Sequence, residues 1–456
     1  MAILTPGVIP ASELVTGKRP AWLTQWAEFA HALRFEDLPT EVVDRSKLVV
    51  LDCLGAIIAG RAEPEVNAAA QRFQSTHAGS SYLQAFIGGT AGTSLEIDEG
   101  NQYARGHPGI HVVPAVLATA CKHTVTGRDA ILATALGYEI GARIGIASKL
   151  RVTMHPHGTW GTVGAAVSVG KLRGASAAEM AELINLSSSL GLTTSRRTML
   201  EGATVRNTYA GFSNMLGMMA WDLVQAGFKG EADGVGAVYG GIAADDWKPD
   251  EMIRDLGTRW EIARNYFKRH AACRYNHGAL DALTKIVAEA GGRIDPADVA
   301  SIKVETYVWA AQLDHPSPQT MLAAKFSMPF SLATFIVNGA ATLDAFRDTA
   351  RNDATTRALA AKVQVDELPE FTSRLPGLRP ARVTVTLNDD RTFTAEAMTN
   401  KGDTEDPYTS AEVQEKFIDV AGPTLGRART QSAIKAALAL DSAASLAELI
   451  QLCEAA

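Results

Sequence analysis

Residues 98–111 (DEGNQYARGHPGIH) gather two acids, two histidines, an arginine and a tyrosine into one segment broken by glycine and proline. Imidazole and carboxylate side chains give and take protons, and arginine grips anions. Loops that merely connect do not need that inventory, whereas loops that carry chemistry often do. An apolar run, Val112 to Ala118, follows at once. A second island, Met154-His155-Pro156-His157-Gly158-Thr159-Trp160-Gly161, again leads straight into an Ala/Val-rich stretch. Two His-Pro islands, each docked on a helix of small residues, suggest one polar pocket set into a helical core.

The elements that must position these islands follow from length and pattern. A chain of 456 residues exceeds one ordinary core, so two domains are expected. From about Trp22 to Arg264 the pattern is helical. Val42–Ile58 is a long apolar-faced segment, and Asp129–Ser148 is apolar nearly all round, as in a helix buried on every side. Gly164–Gly170 and Ala177–Leu192 read the same way, and recurrent Ala and Gly let helices approach closely. The texture changes after Phe267. Ala300–Trp309 alternates and is β-branched, as a strand should be. Ala381–Ala397 reads as two strands joined at Asn388-Asp389-Asp390. Asn276–Glu289 and Pro329–Ile336 read as helices between them. The expected fold is mainly α with an α+β part. Residues 1–266 and 400–456 form a large all-helical domain, and residues 267–399 form a smaller α+β lid.

Composition bounds the function class. Apolar content of 46% and charged content of 20% are those of a soluble globular enzyme. The net charge of −7, without a Lys/Arg run, argues against a nucleic-acid partner. Cys53, Cys121, Cys273 and Cys453 are scattered without CxxC spacing, which speaks against a disulfide framework or a zinc site. The first twenty residues lack a basic start and a signal-like core, and no charge-free apolar span near 20 residues occurs. The expected location is cytoplasmic, without a membrane partner.

Several blocks, in order, carry a resemblance. They are Leu51-Asp52-Cys53-Leu54-Gly55, Asp98 through Pro114, Gly137-Tyr138-Glu139, His155 through Gly161, Gly202 through Gly230, Lys268 through Asp281, and Ala324-Lys325-Phe326-Ser327. Together they resemble the MmgE/PrpD family, which includes 2-methylcitrate dehydratase, cis-aconitate decarboxylase and iminodisuccinate epimerase. The resemblance covers essentially the whole chain. It implies a helical domain with an α+β lid, a site between them, a homodimer, a small polycarboxylate substrate, and no metal or organic cofactor. The shared event is proton transfer at a carbon next to a carboxylate. That event needs a base, an acid and cations for the developing dianion.

Set against that requirement, His107 matches the family's His-Pro position and is a general acid/base candidate; a helix-capping histidine is the plainer alternative. Asp98, in the acidic pair Asp98-Glu99, either orients His107, acts as a base, or merely caps. His155 is the second acid/base candidate. His157 stands where many relatives carry a small hydroxyl residue, so it is read as shaping the substrate site or as an ordinary core histidine. Thr159, beside Gly158, opens a helix that could receive a carboxylate. Arg206 replaces a lysine of the dehydratase and decarboxylase branches. It cannot act as a base at neutral pH but can grip a carboxylate bidentately. Tyr209 is then an alternative proton donor. Lys268 matches a junction lysine that binds a carboxylate or acts as an acid/base, and a solvated cluster is the plainer reading. Arg274, His277 and Arg105 complete the expected substrate contacts, while Lys325 and Ser327 read as structural.

Within the family, a dehydratase-like lyase is the first expectation. An iminodisuccinate-type epimerase comes next, and the arginine at 206 counts against a cis-aconitate-type decarboxylase. Two other classes fit less well. A metal hydrolase would use the His107/His111 and His155/His157 spacings, but Pro108 and Gly109 break the helix and HExxH is absent. A non-catalytic helical scaffold gives no reason for paired histidine islands. Gly234-Val235-Gly236 and Gly240-Gly241 lack the setting of a dinucleotide site.

Overall fold

The computed structural model describes residues 17–453. Most of the N-terminal segment examined for a targeting signal, residues 1–16, lies outside the described residues. The helical part is built on α1 (Thr40–Arg61), α2 (Ser81–Ser94), α3 (Gly127–Ala147), α4 (Gly161–Leu172), α5 (Ala177–Ser188) and α6 (Tyr209–Gln225). The local signals for these helices are explicit. Thr126 and Asp129 form a reciprocal capping box at the start of α3, and Ser176 and Glu179 do the same for α5. Nearly every residue of α3 is buried, as its all-round apolar sequence requires. By length and composition α3 alone among the described helices could cross a membrane, but here it is the core of the bundle.

Small residues set how closely these helices pack. A Cβ on Gly89 of α2 would come within 2.7 Å of the Ala210 carbonyl group on α6. One on Gly137 of α3 would come within 2.5 Å of the Gly164 carbonyl oxygen on α4. Helix α2 therefore meets α6, and α3 meets α4, backbone to backbone, and the site loops hang from the ends of these helices. Two short strands, β1 (Ser148–Leu150) and β2 (Ala244–Trp247), pair antiparallel at the edge of this part. The all-helical pattern did not foretell them, because three or four residues are too few to show a period.

The second part has its own core, drawn almost entirely from residues between Ala271 and Ala397. Its sheet runs β4-β3-β5-β6, with β3 (Val299–Thr306), β4 (Val363–Glu367), β5 (Ala381–Leu387) and β6 (Thr392–Ala397). β3 and β4 are parallel, and the other pairs are antiparallel. Every second residue of β5 is buried, which is the alternation seen in the sequence. The turn at Asn388-Asp389-Asp390 is present, with Asp390 in the left-handed region at φ 65°. Helix α7 (His277–Glu289) covers β5 and β6, and α8 (Met328–Asn338) packs beside it. Two expectations shift. The strand begun at Val299 ends at Thr306, since Val308–Ala311 turn helical, and β4 was not foreseen because it is a half-exposed five-residue edge. The chain then returns: α9 (Ser410–Leu425) packs on α1.

Because Gly89 and Ala210 meet backbone to backbone, Gly89→Val should destabilise the fold by about 1–3 kcal/mol through overpacking. Equilibrium denaturation checks it, and an unchanged midpoint would mean that α2 and α6 separate freely.

Candidate active site

The two histidine islands converge. His107, His155 and His157 line one cavity with Glu96, Arg105, Met154, Met199, Tyr266, Phe326 and five further residues carrying positive or polar groups, Arg196, Arg206, Arg274, Tyr275 and Arg379. The cavity holds about 60 Å³, room for roughly two waters. A polycarboxylate, the substrate class expected from the resemblance, would not fit that volume as it stands. A far larger crevice of about 1450 Å³ opens between α7, β6 and α9, but no histidine lines it.

The first island is pinned from beneath. Asp52 accepts the Glu99 backbone N–H at 2.8 Å, and Glu99 accepts the Gly109 N–H at 2.7 Å and the Tyr138 hydroxyl at 2.9 Å. Burial raises the Glu99 carboxyl to about 8 despite these donors. Glu99 is thus a brace for the loop. Its neighbours Glu96 and Asp98 point toward the chemistry. Glu96 and Arg105 hold left-handed backbone, φ 54° and 57°, which costs energy for a side chain with a Cβ.

Asp98 lies within 2.8 Å of His107 Nδ1 and 3.8 Å of Lys268 Nζ, and is fully buried. Burial alone would raise its carboxyl. His107, Lys268 and Arg206 together overcome that and hold it well below the usual range. Glu96 behaves alike, with burial outweighed by Arg206 and then Lys268. It pairs with Arg206 and accepts from Lys268 Nζ at 3.2 Å. Two buried carboxylates therefore hold His107, Arg206 and Lys268 in one ionic network. In the neutral ring of His107 the proton belongs on Nδ1, facing Asp98. Nε2 is left as an acceptor, the arrangement of a base oriented by a carboxylate.

His155 is set the opposite way. The His157 backbone N–H donates to its Nδ1 at 3.1 Å, so the neutral ring carries its proton on Nε2. Burial first, then Arg206 and His107, keeps His155 well below its ordinary range, and it stays neutral. It can donate a proton or a hydrogen bond where His107 accepts. His157 stands between them, with ring centroids 4.7 Å from His107 and 4.8 Å from His155. Gly158 allows the tight return of this island, with φ 84°.

Six residues expected at the site line the cavity: His107, His155, His157, Arg105, Arg206 and Arg274. Three of these are already engaged. Arg206 faces Glu96, Arg274 pairs with Asp403 and Asn400, and Arg105 donates to the Ser148 carbonyl at 2.6 Å, so none of the three is the unengaged carboxylate grip expected. Asp98 and Lys268 stand behind the cavity and act through its lining. Three others lie elsewhere. Tyr209 packs behind His155 at a ring distance of 6.1 Å. The Thr159 hydroxyl is spent on the Pro156 carbonyl. His277 is buried against His270, 5.1 Å away, outside this lining. Lys325 fits the structural reading: its Nζ donates to the Leu95 carbonyl at 2.6 Å, and burial lowers it to about 7.

Sequence reading missed Glu96, Arg196, Arg379 and Tyr266. Glu96 has no signature beyond preceding the acidic loop. Arg379 comes from a Pro- and Gly-broken lid loop far along the chain, and its Nη2 donates to the Gln102 carbonyl at 2.6 Å. Among the described residues, no group of three or more His, Cys, Asp or Glu is arranged to hold a metal ion.

Comparison with known proteins agrees with this architecture. Residues 24–245 match the MmgE/PrpD N-terminal domain, and residues 270–441 match the MmgE/PrpD C-terminal domain. A cis-aconitate decarboxylase of Aspergillus terreus is 23% identical, over 93% of this chain and 94% of its own. A human cis-aconitate decarboxylase is 25% identical over 90% of each chain. A cis-aconitate decarboxylase-like protein, oryM, of Aspergillus oryzae is 24% identical over 96% of this chain and 97% of its own.

Lys268→Met strips a cation from two buried carboxylates, and should cost about 3–5 kcal/mol in denaturant unfolding. A loss under 1 kcal/mol would show that the network does not depend on it. The buried histidines set an acid limit. His111, whose ring nitrogens have no hydrogen-bond partner, is lowered by burial to about 3. Unfolding frees it to bind a proton below its ordinary value of about 6.5. Its contribution is therefore full above that pH and is lost as pH falls toward 3. His111→Leu should flatten the fall of stability between about pH 6 and 4 by up to about 1.4 kcal/mol per pH unit. Parallel stability–pH curves for wild type and variant would contradict this.

Proposed function

Because the chain belongs to the MmgE/PrpD family, we propose that it is a lyase acting on a small di- or tricarboxylate by proton transfer at a carbon next to a carboxylate. The observation that carries this reading is the pairing of two differently protonated histidines in one cation-rich cavity. His107, backed by Asp98, presents an acceptor nitrogen, and His155 presents a donor. Abstraction of the proton by His107 leaves a carbanion whose charge spreads into the adjacent carboxylate. The guanidinium groups of the lining stabilise that charge as it develops. His155 hydrogen-bonds the departing hydroxyl through Nε2–H, and the proton taken by His107 passes to that hydroxyl as the C–O bond breaks, so that water leaves and both rings end neutral; this makes dehydration the leading reading.

Decarboxylation is the second reading, supported by the similarity to cis-aconitate decarboxylases. Loss of carbon dioxide requires one carboxylate to lie away from cations, and Met154 and Met199 offer apolar lining for it. The replacement of a lysine by Arg206, paired with Glu96, removes the same proton donor from both routes, so the ranking rests on the two histidines.

The test is incubation with 2-methylcitrate, citrate, cis-aconitate, iminodisuccinate and malate in D₂O, followed by proton NMR. The expected result is deuterium at a carbon next to a carboxylate, with the product identifying dehydration, decarboxylation or epimerisation. His107→Ala and His155→Ala should each lower the rate at least about a hundredfold. Near wild-type turnover in the His107 variant, or no exchange across the panel, would overturn the proposal.

A further inference from the structure

Arg196 stands apart from the other cations of the cavity. Its position is fixed by a short zipper between the second histidine island and the segment before it. The Arg196 backbone N–H donates to the Thr153 carbonyl at 2.9 Å, and the His155 N–H donates to the Thr194 carbonyl at 3.0 Å. The Thr194 hydroxyl returns a bond to the His155 carbonyl at 2.6 Å. Arg196 is thereby held next to the proposed hydrogen-bond donor, and its charge is one of those that depress His155. Yet its Nε and Nη2 are both buried without a hydrogen-bond partner, and no carboxylate lies within ion-pair distance among the described residues.

Each of the other guanidinium groups of the lining has at least one nitrogen committed within the protein, although Arg206 Nε and Arg379 Nε are also unpartnered. Arg206 faces Glu96, Arg274 faces Asp403, Arg105 donates to the Ser148 carbonyl at 2.6 Å, and Arg379 donates to the Gln102 carbonyl. Nε and Nη2 are the two parallel donors of an arginine's side edge, the fork that a carboxylate fills with both oxygens. Buried donors left unfilled are costly, so this edge awaits an anion.

We propose that Arg196 is a specificity-determining residue whose Nε–Nη2 edge receives one carboxylate of the substrate side-on. The inference rests on the polycarboxylate reading above. Filling the fork neutralises a charge beside His155, so binding also strengthens the proton affinity of the donor. Because the guanidinium has no internal partner, its role is in recognition and not in stability.

Titration calorimetry with two inert probes tests this. Tricarballylate carries three carboxylates, and glutarate is the same chain without the central one. Arg196→Gln should weaken tricarballylate about 10- to 100-fold, the loss of a charge-assisted bidentate pair. It should leave the melting temperature unchanged or higher. Glutarate reports which carboxylate fills the fork: it weakens alike if a terminal one does and is spared if the central one does. Arg196→Lys should recover only part of the loss, since an ammonium cannot form the fork. Full recovery by lysine, or unchanged tricarballylate affinity, would each overturn the role of Arg196 while the polycarboxylate reading stands. If neither probe binds the wild-type protein, both fall together.

Discussion

Two carboxylates, Glu96 and Asp98, are almost wholly buried, and the arrangement of the site follows from that constraint. An ionised carboxylate leaves water only at a cost of several kcal/mol, and persists in a protein when cations and donors surround it. Here the cations and donors come from three distant stretches of chain. His107 lies on the first island, Arg206 lies just before α6, and Lys268 lies at the junction with the second part. Each is held by the same pair of acids. The network thus does two things at once. It draws remote segments together, and it fixes which nitrogen of His107 faces the cavity.

This dependence gives Arg206 a different meaning from the one its residue type suggests. A guanidinium in a polar pocket invites assignment as a substrate grip. Its pairing with Glu96 makes it instead a fixed positive charge beside His155 and His157, where it adds to the effect of burial in keeping both rings neutral. Permanent charge, unlike that of a lysine, does not vanish when burial shifts a proton equilibrium. The network buys a neutral donor at His155, while the free guanidinium edge needed for recognition comes from Arg196.

Much of this was legible from the chain because it is written locally. The helices follow from period, caps and small residues, and β5 and β6 from strict alternation about a turn. The islands announced themselves by density of polar residues next to apolar helices, and His107, His155 and His157 meet as their spacing implied. What could not be read is of another kind. Glu96 is an ordinary acid until Arg206 and Lys268 are brought to it across more than a hundred residues of sequence. Arg196 and Arg379 carry no motif, and their importance lies in what does and does not face them after folding. Thr159 and Tyr209 stand in the right segments, but Thr159 turns to its own backbone and Tyr209 packs behind a histidine. Which way a side chain turns within a recognised loop is a tertiary property.

The central claim is that Asp98 holds His107 as the Nδ1–H form with Nε2 free to accept a proton. Nitrogen-15 NMR of histidine-labelled protein measures it most directly. At neutral pH the account predicts that His107 shows a protonated Nδ1 at every fraction of neutral ring, and that Asp98→Asn alters this signature. A neutral His107 carrying its proton on Nε2 in the wild-type protein would contradict the account, because the nitrogen facing the cavity could not then act as a base.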